Sequence, residues 1–140
     1  MDLENFNKNH EDLYYAIFRA IVGLLFLYHG AEKLGAFGDM NISGFSQFAQ
    51  IPLWLSYTVA FTEIISGALI FLGLFSKIGA ALGIVIVSVA YFKIHIPKGF
   101  NPLLNGGEIA LLLLGCFLVI ITQGSKKYGF EHWIFGKEVL

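Results

Sequence analysis

The sequence predicts an all-α protein: a transmembrane four-helix up-down-up-down bundle with a short interfacial helix in its first loop. Three observations carry that prediction. The 140 residues are 56% hydrophobic and 14% charged, where a soluble domain is typically about 25% charged, and the mean hydropathy is +0.71. Apolar segments at about 13–34, 53–75, 77–96 and 105–123 each approach the ~20 residues that span a hydrocarbon core. Most are joined by short connections, which place successive helices side by side and antiparallel. The aromatic load of fourteen Phe, six Tyr and two Trp suits lipid contact and interfacial belts. Residues 1–140 are therefore read as one membrane domain.

The start of the chain, Met1 to Asp12, is polar and acidic (Asp2, Glu4, Glu11, Asp12). It lacks the basic start and small-residue cleavage site of a secretory signal, so the first apolar segment is expected to be retained. That segment runs from Leu13 to Phe26, broken only by Arg19, and closes with Leu27-Tyr28-His29-Gly30-Ala31-Glu32-Lys33-Leu34. In the loop from Gly35 to Pro52, Ile42, Phe45 and Phe48 recur at three-residue spacing between Ser, Asn and Gln. This pattern predicts a helix lying flat at the membrane surface, covering one end of the bundle like a lid. Only Ser76-Lys77 separates the second and third segments, which makes them a tight hairpin. Pro97, Gly99 and Pro102 stop the third helix and start the fourth. Residues 124–140 carry Tyr128, Phe130, Trp133, Ile134 and Phe135 among Lys and Glu, the composition of an amphipathic interfacial anchor. Ala16, Ala20 and Gly23 on the first helix and Gly79 and Gly83 on the third permit close helix approach.

Orientation follows from lysine counts. Lys8, Lys77, Lys126, Lys127 and Lys137 fall on the side of the termini, and Lys33, Lys93 and Lys98 on the other. The positive-inside rule then puts both termini in the cytoplasm.

A charge within a span costs about 2.5–3.5 kcal/mol on insertion scales, so it is paired, wet or functional. At ~100° per residue, taking Arg19 as zero, Lys33 falls at about −40°, His29 at about −80° and Glu32 at about −140°. One sector thus carries Arg19, Lys33 and His29, with Glu32 at its margin, and it should face the bundle. Glu63 is the acidic residue of the second segment, and its depth counted from the opposite end suggests a buried Arg19–Glu63 pair. At the far end of the bundle His29, Glu32 and Lys33 meet Lys93 and His95 of the third helix and Asn105 and Glu108 of the fourth. Lys93 and His95 lie about 200° apart on an α-helix, so Lys93 is expected to snorkel outward and His95 to face inward. Glu108 shares a face with Gly115 and is expected to point inward beside a close helix contact.

Several chemistries are disfavoured. Net charge is −1 with no basic patch, so nucleic acid is not an expected partner. The single cysteine, Cys116, cannot form an intramolecular disulfide and reads as a small buried hydrophobe. No phosphate loop, nucleophile elbow or dinucleotide fingerprint is present. His29, Glu32, Glu63, His95 and Glu108 include the ligand types of iron or zinc, but the paired Glu-x-x-His pattern of di-iron bundles is absent. A metal or a haem is the lesser expectation.

Arg19 followed by His29-Gly30-x-x-Lys33-Leu34 resembles the signature of the DoxX family of small four-helix membrane proteins. Glu63 with Ser66-Gly67 and Leu72-Gly73-Leu74, then Asn105-Gly106-Gly107-Glu108, is similar to later motifs of that family. The tail from Tyr128 to Lys137 departs from the ending of many members. The resemblance implies a prokaryotic inner-membrane protein linked to quinone-dependent oxidoreduction, a relative being the small membrane subunit of a thiosulfate:quinone oxidoreductase. On that reading His29, Lys33 and His95 donate hydrogen bonds to a quinone head group, Glu63 and Glu108 carry protons, and Arg19, Glu32 and Asn105 help to bind it. His29, Glu63, His95 and Glu108 would be the catalytic set. A redox partner protein or bound cofactor would have to carry the electrons, and a homo-oligomer is a further expectation. The alternative is a non-catalytic membrane module that binds a lipid or partner protein and assists assembly. A transporter or channel is less attractive, because four short helices with many large apolar side chains leave little room for a pore.

Overall fold

The computed structural model describes residues 3–38 and 40–139, with side chains described from His10 onward. Asp2 and Glu4 of the acidic start, Lys8 of the orientation count and residue 140 of the expected tail lie outside the side chains so described. Among the described residues all regular structure is helical. The elements are α1 (Leu3–Lys33), α2 (Ile42–Ala49), α3 (Leu53–Leu72), α4 (Ser76–Ala90), α5 (Pro102–Asn105), α6 (Glu108–Gln123) and α7 (Phe130–Phe135). Three stretches, His10–Lys33, Leu53–Leu72 and Ser76–Lys98, are long and apolar enough to cross a membrane. The protein is a membrane protein on that ground.

The first helix begins ten residues before the apolar run because nothing in 3–12 breaks it: there is no Pro or Gly. Its outer turns are tied to the tail by Lys126, whose Nζ lies 3.1 Å from Glu11 and 3.6 Å from Asp12. The helix expected in the first loop is present as α2. Asn41 caps it by accepting from the Gly44 N–H at 2.9 Å, and Gln50 ends it in the left-handed region at φ 51°. Phe45 is buried and Phe48 exposed. The hairpin between α3 and α4 turns on Gly73, at φ 67°, whose N–H reaches back to the Ile70 carbonyl.

Small residues set the helix spacing. Gly67 of α3 lies against Gly23 and Leu27 of α1, so closely that a Cβ there would sit 2.7 Å from the Gly23 carbonyl oxygen. One or two turns on, a Cβ on Gly30 would sit 2.6 Å from the Ala60 carbonyl oxygen. These two contacts run in opposite directions along the chain, so α1 and α3 are antiparallel. Ser66 donates to the Gly79 carbonyl at 2.6 Å and joins α3 to α4. Gly83 of α4 leaves the space that the Phe117 ring of α6 fills. Phe117 in turn meets Phe26 of α1 edge-on at 4.8 Å, which closes the core formed with Val22, Ile70, Ala80, Val87, Leu113 and Ile120. Gly115 has open space around it, so the close contact expected beside Glu108 is not made.

The fourth apolar helix is shorter than the sequence predicts. Asn101 caps α5, Gly106 ends it at φ 71°, and α6 starts afresh at Glu108 for 16 residues. The third helix also departs from the expected form. From Tyr91 to His95 it widens into a π turn, with the Ile96 N–H bonded to the Tyr91 carbonyl, before a 3₁₀ turn over Ile96–Lys98.

The tail forms α7 and keeps Tyr128, Phe130, Trp133, Ile134 and Phe135 exposed while Glu131 turns into the protein. Glu131 is fully buried, and its carboxylate accepts from Ser125 Oγ at 2.7 Å, the Phe75 N–H at 3.2 Å and the Val139 N–H at 2.8 Å. The Glu131 N–H donates to the Gly73 carbonyl at 3.0 Å. Trp133, at 81% exposure, keeps the outward apolar face that the sequence suggests.

Candidate functional site

At the end where α1 finishes and α3 starts, a cavity of about 690 Å³ opens between the helices beneath α2. Its walls are mostly apolar, with Phe26, Leu55, Val59, Val87 and Leu113 deep in the bundle and Phe45 and Phe48 from α2. The polar groups on its surface are His29, Glu32 and Lys33 of α1, Glu63 of α3, and Lys93 and His95 of the π turn. The volume and the apolar lining with a few convergent polar groups are those of a small-molecule site.

Lys33 is the node of the polar side. A helical side chain leans toward the N-terminus, over the preceding turn, and so Lys33 folds back from the last turn of α1. Its Nζ donates to Glu63 Oε2 at 2.5 Å and to the His29 carbonyl at 3.0 Å. It also lies 5.1 Å from the centre of the Phe45 ring, in cation–π range. An ammonium has three N–H donors, so one remains for a ligand. The pair is enclosed, with Lys33 13% and Glu63 7% exposed.

This arrangement replaces the Arg19–Glu63 pair. The glycine contacts place Glu63 level with the turn around Gly30 and Arg19 level with the end of α3. Roughly ten residues of helix, about 15 Å at 1.5 Å per residue, separate the two levels. Arg19 is buried at 2% exposure, and its guanidinium donates to the carbonyls of Ile70, Phe71 and Tyr128. It neutralises the carbonyl end of α3 and is at the opposite end of the protein from the cavity.

On the third helix Lys93, Ile94 and His95 are consecutive, and all three line the cavity where the helix widens into the π turn, a form that recurs at functional sites. Lys93 is exposed, as expected of a lysine that reaches outward, and also borders the cavity. The Lys93 Nζ lies 3.4 Å from the Gln50 carbonyl at the end of α2. His95 Nδ1 is 3.1 Å from the Asn105 carbonyl. A carbonyl only accepts, so Nδ1 carries the proton, and in the neutral ring Nε2 is the acceptor.

The remaining expected residues take other places. His29 and Glu32 line the cavity, with Nδ1 to Oε2 at 3.9 Å, and both also line a shallow surface cleft beside Tyr28 and Phe37. Asn105 is buried, but its amide donates to the Gly99 carbonyl at 2.7 Å and accepts from the Gly107 N–H at 2.7 Å, so it holds the loop. Glu108 is exposed and is not on the cavity wall, which is lined there by Gly106, Ile109 and Ala110. The site thus gathers five of the eight expected residues and adds Lys93. Glu131, at the other end, had no motif to announce it. Among the described residues no three His, Cys, Asp or Glu side chains come together to hold a metal ion.

Comparison with known proteins agrees with the helical pattern. The sequence model of the DoxX family matches residues 15–96. A Haemophilus influenzae protein described as "Uncharacterized protein" is 31% identical over 133 residues, covering 93% of this chain and 97% of that one. A second protein of that organism, described in the same words, is 31% identical over 88 residues. The Bacillus subtilis protein named "Putative oxidoreductase CatD" is 27% identical over 120 residues, 85% of each chain. No solved structure matches.

Proposed function

The chain belongs to the DoxX family, and from that premise we propose that it is a membrane subunit of a quinone-linked oxidoreductase. Its cavity takes the quinone head group. In this reading the chain forms a four-helix up-and-down bundle in the cell's inner membrane, with both termini in the cytoplasm and α2 over the opposite end. The observation that carries the proposal is the enclosed Lys33–Glu63 pair in the wall of an otherwise apolar cavity of about 690 Å³. The name of the Bacillus relative supports the reaction class.

The residues present fit such a ligand. A quinone, when bound, supplies the capacity to take up two electrons and two protons. The third N–H of Lys33 can donate to a ring oxygen, and His95 Nε2 can accept from a ring hydroxyl. Glu63 holds Lys33 in place, and the apolar wall from Leu55 to Leu113 accommodates the hydrophobic part. Electrons arrive from a redox partner or a bound cofactor, because the chain offers one isolated cysteine and no dithiol.

The test is extraction of quinone from the purified protein, with titration of short-chain ubiquinone and menaquinone into the emptied protein. Bound quinone that is lost in Lys33→Met/Glu63→Leu, a variant that removes both charges together, and kept in Glu108→Gln supports the proposal. Absence of quinone and equal weak uptake by all three proteins would overturn it. The site would then belong to a non-catalytic module that binds a lipid or a partner.

A further inference from the structure

The connection between α4 and α6 has a feature that neither the helical core nor the cavity uses. Phe100, Leu103 and Leu104 are 86%, 73% and 85% exposed, three large apolar side chains within five positions. The segment that carries them is firmly built. The Asn101 side chain accepts from the Leu103 N–H at 3.0 Å, and the Asn101 carbonyl from the N–H groups of Leu104 and Asn105. Asn105 ties Gly99 to Gly107, and the Pro102 carbonyl takes the Gly106 and Gly107 N–H groups. Pro97 and Pro102 have no N–H to satisfy. Irregular backbone at membrane depth persists only where its polar groups are met internally, and this segment meets much of that demand.

We propose that residues 99–104 form a lipid-inserted anchor, with Phe100, Leu103 and Leu104 seated in the bilayer at the cavity end. The length of α6 supports this occupant. Sixteen residues cover about 24 Å at 1.5 Å per residue, short of the ~30 Å hydrocarbon core. The α5 turn adjoins the short end and continues its apolar band past Glu108. A short span is otherwise accommodated by thinning the bilayer, and an inserted flank relieves that. The surroundings fit a lipid boundary as well. Trp54 and Phe92, each 68% exposed, stand at the same end, as interfacial aromatic residues do. Lys98 lies 5.0 Å from the Phe48 ring centre, which holds a cation beside the loop. The inference rests on the membrane assignment and is independent of the quinone reading.

The experiment uses the full chain with Trp54→Phe and Trp133→Phe, and a single probe introduced as Phe100→Trp or, separately, Leu104→Trp. Both positions touch little protein, so the fold does not depend on either. The proteins are reconstituted into phosphatidylcholine vesicles containing phosphatidylglycerol. Quenching is measured with lipids brominated along the acyl chain and with iodide on both faces. The expected result is blue-shifted emission that loses most of its intensity to brominated lipid and little to iodide. Strong iodide quenching with no bromine effect would place the loop in water and overturn the proposal. Emission reached by neither quencher would mean that a second copy or another protein covers the loop, and would overturn it equally.

Discussion

Glu63→Gln removes the anion from a pair separated by 2.5 Å and largely closed to solvent. At an effective dielectric of about 20, charges at that distance attract by roughly 7 kcal/mol. Desolvation takes back several kcal/mol per ion, so the intact pair is worth little more than a well-packed apolar pair. Removing one partner is different, because the other stays buried without compensation, at a typical cost of about 3–5 kcal/mol. Lys33 keeps the His29 carbonyl and the Phe45 ring. A cation–π contact contributes about 0.5–2 kcal/mol, which places Glu63→Gln near the lower figure. Lys33→Met should cost about as much, since it strands the carboxylate. The double variant Lys33→Met/Glu63→Leu should come within about 1–2 kcal/mol of the parent, since apolar replacement of a whole buried pair is often neutral. With Glu63→Leu, expected to cost at least as much as Glu63→Gln, as the matching single variant, the cycle would then show a coupling above about 3 kcal/mol, the upper end for ordinary neighbours. Equilibrium unfolding in mixed micelles, followed by far-ultraviolet circular dichroism, reads each of these proteins. Single variants that each lose under 1 kcal/mol and add in the double would show that the pair is wet and would refute the reasoning.

Three further outcomes are expected. Gly67→Ala puts a methyl group 2.7 Å from the Gly23 carbonyl oxygen, which must part α1 from α3, and overpacking of this kind costs about 1–3 kcal/mol. Gly115→Ala meets open space and should gain about 0.5–1 kcal/mol from helix propensity, so thermal midpoints shifting in the same direction would contradict the packing described. Arg19→Met leaves the Ile70, Phe71 and Tyr128 carbonyls without their donor. Hydrogen bonds to charged groups are worth about 1.5–3 kcal/mol, so the tail should become cleavable by limited proteolysis, and an unchanged cleavage pattern would count against the clamp. Glu131→Leu strands the Phe75 and Val139 N–H groups at about 1–3 kcal/mol. Glu131→Gln, which keeps an acceptor, should lose less, and equal losses would show that the carboxylate is not the organising group.

Much of the architecture was legible because lipid imposes simple demands on a sequence. Length and apolarity marked the spans, the Ile42/Phe45/Phe48 spacing marked α2, and Pro97 marked the end of the third helix, while the hairpin expected at Ser76-Lys77 turns a few residues earlier at Gly73. The polar site was half legible. A cylinder argument correctly grouped His29, Glu32 and Lys33, because α1 is regular there. For Lys93 it gave half of the answer: the side chain is exposed, as a snorkelling lysine should be, yet it is long enough to border the cavity and reach the Gln50 carbonyl. The Arg19–Glu63 error was one of depth. Register between antiparallel helices is set by where backbones touch, and Gly67 against Gly23, with Gly30 against Ala60 and Gly73 against Arg19, sets the two side chains nearly three turns apart. Glu131 was hidden by its neighbours: in Phe130-Glu131-His132-Trp133 the aromatic residues suggested a surface anchor, while the carboxylate was the group turned inward.

The clamp on Arg19 also bears on how the protein is made. Tyr128, which supplies one of its acceptors, follows it by 109 residues. At a synthesis rate of ~5–20 residues per second, about 5–20 s pass between them. The carbonyls at the end of α3 follow Arg19 by 51 and 52 residues, so the guanidinium of the first inserted helix lacks them for about the first half of that interval and lacks the tail until its close. A newly inserted α1 therefore waits with an unsatisfied cation that can reach back toward the head groups, and the segment after α6 completes its burial. A nascent chain halted before Tyr128 would carry that defect in its first helix, a mark by which membrane quality control could tell unfinished molecules from finished ones.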